Sequence, residues 1–132
     1  MNKPGLIMIF LMTPLSFASA NEIDSLLAGY RNDGAAEFSA VRGKLIWTTP
    51  RNIDGEQRAC SSCHTADPVA SGKHVKTGKP IEPIAASANP ERFTDAAKTE
   101  KWFRRNCKWT LGRECTAQEK GDLLTWLGGQ RE

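Results

Sequence analysis

The feature that most constrains this chain is a C-x-x-C-H motif, Cys60-Ser61-Ser62-Cys63-His64. Two thiols at this spacing can bond to the two vinyl groups of one haem, and the adjacent imidazole then lies under the iron as its proximal ligand. We therefore expect one covalently bound haem c. Cys60 and Cys63 would form its thioether bonds, and His64 would be the proximal iron ligand.

The first twenty residues have the pattern of a secretory signal peptide. They contain one positive charge at Lys3, an apolar run from Leu6 to Met12, and the small residues Ala18-Ser19-Ala20. The apolar run is shorter than the roughly 18–20 residues that span a bilayer, so a membrane anchor is the weaker interpretation. We expect cleavage after Ala20, export to the periplasm without membrane insertion, and one mature domain over residues 21–132.

Length, composition and charge indicate a single globular domain and give no sign of nucleic-acid binding. A chain of 132 residues supports one domain, and 39% hydrophobic with 25% charged residues is typical of a globular protein. The formal net charge of +3 is too small to indicate nucleic-acid binding.

Three other kinds of site could use the cysteines of the motif. A thioredoxin-like pair needs a βαβ context, which the flanking sequence does not show. A zinc site could recruit Cys107 and Cys115, although their separation is wide and an exported chain favours a disulfide. A structural Cys60–Cys63 disulfide would leave the adjacent histidine without a role.

The spacing of apolar residues predicts an all-α domain. Short helices are expected over residues 21–33 and 35–48, and Pro50 stops the second. The apolar face of the second helix is expected to consist of Phe38, Val41, Leu45 and Ile46. Residues 51–59 are polar and resemble a loop, whereas the haem motif begins a helical turn.

The second half of the chain contains two longer helical patterns. Residues 67–90, rich in proline, predict a long irregular segment of the kind that serves a site. Thr94 or Asp95 can cap a helix that runs to about Trp109. Thr116-Ala117-Gln118-Glu119 is a capping box that opens a last helix, closed by Gly128-Gly129. The apolar face of this last helix is formed by Leu123, Leu124, Trp126 and Leu127.

Two details resemble class I cytochromes c. Gly43, followed four residues later by Trp47, resembles their N-terminal helix, and Trp126-Leu127 resembles the aromatic-Leu pair of their C-terminal helix. The glycine would let the two helices cross closely, with the aromatic residues filling the crossing. We expect a small helical fold of this kind around the haem.

The ligand on the far side of the iron cannot be methionine, because Met1, Met8 and Met12 all leave with the signal peptide. His74 is the only histidine outside the motif, and an ordinary loop histidine bonded to backbone is the favoured interpretation of it. Lysine and the freed N-terminal amine stay open.

Asn106 is a further candidate for this position. It follows Trp102 and Phe103 at helical spacing, so we expect all three on a buried face. A buried carboxamide needs a partner, and helix capping or an oxygen donated to iron would both supply one.

Cys107 and Cys115 lie outside the motif in an exported chain, which favours a disulfide over two free thiols. Such a bond would fix the backbone next to Asn106. Several basic side chains lie nearby, and they could pair with haem propionates, steer an acidic partner, or simply form a solvated helix face. They are Lys101, Arg104, Arg105, Lys108 and Arg113.

From about Ser39 to Leu127 the chain resembles the sphaeroides haem protein group of monohaem cytochromes c, which is related to the methylotroph cytochrome c''. The matching stretches are CSSCHTADP (60–68), TGKPIEP (77–83), NPERFTD (89–95), KWFRRNC (101–107) and LGRECT (111–116). In that family the distal ligand immediately precedes the first disulfide cysteine, and it is Asn or His.

This resemblance implies Asn106 as the distal ligand and Cys107–Cys115 as the disulfide. It also implies that the ligand is released when the iron is reduced, so that the site can bind oxygen, nitric oxide or carbon monoxide. Dihaem cytochromes c and a membrane cytochrome b are the implied redox partners. Trp102, Phe103 and Trp109 are the candidate walls of the pocket.

Three functions fit these features. The first is a haem protein that accepts an electron and then binds a diatomic ligand, with possible onward reduction of oxygen or a related small oxidant. The second is an electron shuttle whose distal ligand never leaves. The third is a small peroxidase or reductase, for which Arg105 or His74 would be the acid–base candidate near the open site.

Overall fold

The computed structural model describes residues 18–130 and is mostly helical. The elements, in chain order, are α1 (Ala18–Asn32), α2 (Ala40–Thr48), β1 (Arg51–Ile53), β2 (Glu56–Arg58), α3 (Ser61–His64), β3 (Gly72–Lys73), β4 (Pro80–Ile81), α4 (Ala96–Leu111) and α5 (Ala117–Gly128). The strands form two small antiparallel hairpins, β1–β2 and β3–β4. No helix within this described part is long and apolar enough to cross a membrane.

Helix α5 is the centre of the core. Its capping box is formed as predicted: the Thr116 side chain accepts from the Glu119 N–H, and the Glu119 carboxylate accepts from the Thr116 N–H. Its four predicted apolar residues are buried at 7% exposure or less. Helix α1 covers one side of α5 through Leu26 and Tyr30, which pack with Leu124.

Helices α2 and α5 cross in close contact at Gly43, which confirms the predicted role of that glycine. A Cβ atom placed there would lie 2.1 Å from the backbone oxygen of Asp122 and 2.9 Å from the Trp126 Cβ. One turn further on, the Trp47 and Trp126 rings pack with centroids 5.5 Å apart. The aromatic pair therefore fills the crossing that the missing side chain allows.

The predicted start and apolar face of the second helix were wrong. Helix α2 begins at Ala40, with Ser39 as its N-cap, and Val41 and Leu45 are 70% and 58% exposed. The reason is the crossing itself: a helix whose backbone must touch α5 turns Gly43 and Trp47 inward, and this rotates Val41 and Leu45 towards solvent.

An ion pair between the buried Asp122 carboxylate and the half-exposed Arg42 fixes the entry to α2. Asp122, 1% exposed, accepts bonds from the Arg42 guanidinium at 2.7 and 2.9 Å and from the Ser39 N–H at 2.7 Å. Burial alone would raise the pKa of Asp122, but the bonds from Arg42, Ser39 and Gln118 together hold it below its usual value. The carboxylate therefore ties the segment before α2 to the middle of α5.

The polar segment after α2 is a hairpin and not the predicted loop. Strands β1 and β2 are antiparallel, and Arg51 pairs with Arg58 at the open end and Ile53 with Glu56 next to the turn. In the turn, Asp54 and Gly55 have φ of 52° and 83°. The second hairpin, β3–β4, interrupts the otherwise irregular segment that follows the motif.

Candidate functional site

The C-x-x-C-H motif forms a single helical turn, α3, preceded by the buried Ala59. The His64 N–H donates to the Cys60 carbonyl at 3.1 Å, which brings both thiols and the imidazole onto one turn. Cys60 and Cys63 are free cysteines, so the alternative of a structural disulfide between them is not realised. Burial is the main cause that raises the pKa of the Cys60 thiol, to about 11.

The imidazole of His64 has the protonation state that an iron ligand requires. Burial, and then the positive charge of Arg92, lower the pKa of His64 to about 4, so the ring is neutral at pH 7. Neither ring nitrogen bonds to another residue in the described part of the chain. Arg92 is held in place by the carbonyls of Pro83 at 2.8 Å and Glu82 at 2.9 Å.

Trp47 joins this histidine to the core. Its ring centroid lies 5.3 Å from that of His64, and its indole N–H donates to the Thr65 carbonyl at 2.9 Å. Thr65 has a φ of 65°, a conformation that residues other than glycine rarely adopt. The indole therefore fixes the point at which the chain leaves the histidine.

The β3–β4 hairpin lies directly against the same turn. A Cβ at Gly72 would be 2.1 Å from the Cys63 carbonyl oxygen and 2.9 Å from the His64 Cα. Only glycine permits this approach of two backbone segments. No motif or spacing in the sequence marks this glycine.

Helix α4 carries the predicted distal residues on two neighbouring stripes. The stripe of Phe103, Cys107 and Thr110 packs inward, and Cys107 is joined to Cys115 by a disulfide, as the resemblance implies. The next stripe comprises Trp102, Asn106 and Trp109. The expectation that Trp102 and Asn106 are buried was wrong, because both are exposed, Trp102 by 43%.

Helix capping does not explain Asn106. The N-cap of α4 is Asp95, which accepts from the Lys98 N–H at 2.9 Å, and its C-cap is Gly112 in the left-handed conformation. Asn106 lies in the helix body, and its carboxamide forms no hydrogen bond with another residue of the described chain. Because Asn106 is exposed, its carboxamide oxygen is open to water or to a ligand.

This part of α4 lies against the start of the motif. The Thr110 hydroxyl donates to the Asn106 carbonyl at 2.7 Å within the helix and lies near enough to the Cys60 thiol to help lower the pKa of that thiol. Arg58 donates to the Trp109 carbonyl at 3.3 Å, and its guanidinium lies 5.2 Å from the Trp109 ring centroid. Neither Arg58 nor Thr110 was singled out from sequence, because their roles depend on contacts about fifty residues apart in the chain.

The structure gives His74 a purely local role. This exposed side chain lies in the β3–β4 turn, where its Nδ1 accepts from the Lys76 N–H at 3.3 Å and the Thr77 N–H at 3.2 Å. The favoured interpretation, a loop histidine bonded to backbone, is confirmed. Arg105, the other acid–base candidate, lies over the Trp102 ring at 5.1 Å.

Comparison with known proteins decides the family. A family model described as a domain of unknown function (DUF1924) matches residues 33–127. The cytochrome c-type protein SHP of Cereibacter sphaeroides is 44% identical over 106 residues, which cover 80% of this chain and 81% of that protein. This chain belongs to the SHP family of c-type cytochromes.

Further relatives support the assignment. Cytochrome c'' of Methylophilus methylotrophus is 42% identical over 90 residues, covering 67% of this chain and 62% of that protein. The structure of oxidised SHP, described as an oxygen-binding cytochrome c, superposes with a TM-score of 0.76 at 42% identity, covering 82% of this chain and 96% of that one. Oxidised cytochrome c'' gives the same TM-score at 31% identity, covering 85% and 97%. The class I-like fold is therefore confirmed.

The cofactor of this SHP-family chain is one covalent haem c, and its residues fit that group. Two free thiols and a neutral imidazole on one turn are the donors that covalent attachment and proximal ligation need. A zinc site is not available, since Cys107 and Cys115 are bonded to each other and the described residues contain no cluster of three or more His, Cys, Asp or Glu side chains.

Proposed function

We propose that this monohaem cytochrome uses Asn106 as a labile distal ligand and binds oxygen, nitric oxide or carbon monoxide once it is reduced. The proposal rests above all on the Asn106 carboxamide. It caps no helix end and bonds to no described residue, the Cys107–Cys115 disulfide fixes the backbone next to it, and Cys60 of the haem motif packs against the same cluster as Cys107. A free amide in such a fixed position is suited to contact a ligand.

Donor chemistry supports the release of this side chain. When bound, the haem supplies an iron that cycles between Fe(III) and Fe(II). A neutral amide oxygen is a hard donor that suits Fe(III) better than the softer Fe(II), whereas a methionine sulfur has the opposite preference. Asn106 would therefore favour the oxidised state and would leave on reduction, with Trp102, Phe103 and Trp109 as the pocket walls beside it.

The proposal extends to the setting of the protein. The pattern of residues 1–20 supports export and cleavage after Ala20, although most of these residues lie outside the described part. In the periplasm, a dihaem cytochrome c or a membrane cytochrome b would supply the electron, and oxygen or a related small oxidant would receive it. The description of SHP as an oxygen-binding cytochrome c supports diatomic gases as the ligands of this protein.

The ferric form offers a direct test of the ligand. Replacing Asn106→Ala in the holoprotein is expected to change the ferric spin state, measured by electron paramagnetic resonance and absorption spectra, because the sixth donor is lost. Asn52→Ala is the matched control, since Asn52 lies in the β1–β2 hairpin, where its amide oxygen accepts only the Gly55 N–H. Identical ferric spectra for Asn106→Ala and the wild type would exclude Asn106 as the ligand.

The alternative function, an electron shuttle, would have the same sequence features and would differ from the proposed function only in that its distal ligand is never released. A peroxidase needs an acid–base group beside the open site. The contacts of His74 with its own loop, and of Arg105 with an aromatic ring, do not favour that function.

A further inference from the structure

The β3–β4 hairpin and its turn, residues 72–81, form a concentrated positive surface that we call the basic hairpin. Its lysines, Lys73, Lys76 and Lys79, are all exposed, and the segment contains no acidic residue. The whole chain has 18 basic and 15 acidic residues, so these three lysines equal its entire excess of positive charge. The remaining 15 basic and 15 acidic residues sum to zero formal charge.

The charges of the basic hairpin are not neutralised by ion pairs. None of the three lysines forms a salt bridge within the described residues. Lys76 lies near enough to Glu56 to help lower the pKa of that carboxyl, but Glu56 is bonded first to Arg58, at 2.8 Å. Near the end of α4, by contrast, Lys108 is paired with Glu114, and Arg113, just beyond the helix, is paired with Glu119.

The turn has a fixed shape. The His74 N–H donates to the Lys79 carbonyl at 2.9 Å, the Gly78 N–H donates to the His74 carbonyl at 2.8 Å, and the His74 imidazole accepts two further backbone N–H groups. Val75 stands out from this turn with 52% of its surface exposed. An exposed apolar side chain among charged ones has the composition of a small, transient protein interface.

The basic hairpin also touches the haem-binding turn through backbone. Its first residue, Gly72, lies against the Cys63 carbonyl and the His64 Cα so closely that no side chain fits between them. A protein seated on the hairpin is thus one backbone layer from Cys63. An electron donor seated there would lie close to the point of haem attachment.

We propose that the basic hairpin is the docking surface for the acidic protein that reduces this cytochrome. The inference rests on the proposed function and adds to it the place and the charge of the electron donor. Lysines without ion-pair partners attract an acidic surface over about one Debye length and raise the rate of encounter, while Val75 supplies apolar contact.

The test measures reduction of the ferric holoprotein by stopped flow at low and high salt. Two reductants are compared: the hydroquinone of a flavodoxin, which is a strongly acidic protein, and reduced riboflavin, a small molecule that has no acidic protein surface. The hairpin variant combines Lys73→Gln, Lys76→Gln and Lys79→Gln. The control variant removes the same charge from other exposed positions and combines Arg31→Gln, Lys44→Gln and Lys98→Gln.

At low salt the hairpin variant should react with flavodoxin about tenfold more slowly than the wild type, and the control variant less than twofold more slowly. High salt should remove the difference, and the riboflavin rates should be equal for all three proteins. Equal losses in both variants, or no loss in the hairpin variant, would overturn the proposal. Carbon monoxide binding reports on Asn106 independently, so failure of the proposed function is distinguishable from failure of the docking surface.

Discussion

Replacing Gly43→Ala should destabilise the domain through a single methyl group. The new Cβ would lie 2.1 Å from the Asp122 carbonyl oxygen and 2.7 Å from its carbon. Both are backbone atoms of α5, so neither can rotate away. The two helices must therefore separate by about 1 Å to restore a normal contact in a close-packed core.

The size of the effect follows from two opposing terms. Overpacking of a tight core costs about 3 kcal/mol when only backbone movement can relieve it. Alanine in place of glycine within a helix returns about 1 kcal/mol. The expected net loss is about 2 kcal/mol in the free energy of unfolding. Because Trp47 packs on both Trp126 and His64, the separation should also shift the haem absorption bands.

Guanidinium unfolding of the holoprotein, followed by far-ultraviolet circular dichroism, measures this loss. The matched control is Gly29→Ala in α1, where a Cβ would meet nothing within 4 Å. The control should be unchanged or more stable, by up to about 1 kcal/mol. If Gly43→Ala were as stable as Gly29→Ala, the crossing would be looser than described and the reasoning would be refuted.

Two further changes test the framework of the site. Replacing both Cys107→Ala and Cys115→Ala removes a bond across a sequence separation of 8, and should cost about 2–3 kcal/mol in denaturant unfolding; an unchanged midpoint would contradict this. Asp122 has a folded pKa below its unfolded value of about 3.9, so its contribution is complete above about pH 5 and is lost as pH falls through the folded pKa. The Asp122→Asn variant should accordingly be less stable than the wild type at pH 7, and the difference in their free energies of unfolding should narrow as the pH is lowered. A difference that does not depend on pH would refute the stabilising role of the ionised Asp122 carboxylate.

The parts of the fold that the sequence predicted are those set by local chemistry. The capping box at Thr116, the Asp95 cap and the C-x-x-C-H turn each depend on residues within one helical turn. The overlooked β1–β2 hairpin had a local signal too, since Asp54-Gly55 is a favoured pair for a two-residue turn. Its flanking strands are only three residues long and polar, and so show no apolar alternation.

The features that the sequence could not predict depend on how helices are rotated in the fold. Val41 and Leu45 suggested an inward face for α2, but the contact of Gly43 with α5 outweighs two aliphatic side chains. Asn106 and Phe103 were expected on one face of α4, yet adjacent stripes separate them. Arg92 lies beside His64 because two loop carbonyls hold it there, a contact across 28 residues that no periodicity shows.

The central claim, release of Asn106 on reduction, is tested most directly by the absorption spectrum of the dithionite-reduced wild-type holoprotein, before and after carbon monoxide is added. Release of Asn106 predicts a high-spin ferrous spectrum that shifts promptly with carbon monoxide. A sharp low-spin ferrous spectrum indifferent to carbon monoxide would contradict it, because a strong sixth ligand would then persist and the protein would be an electron shuttle.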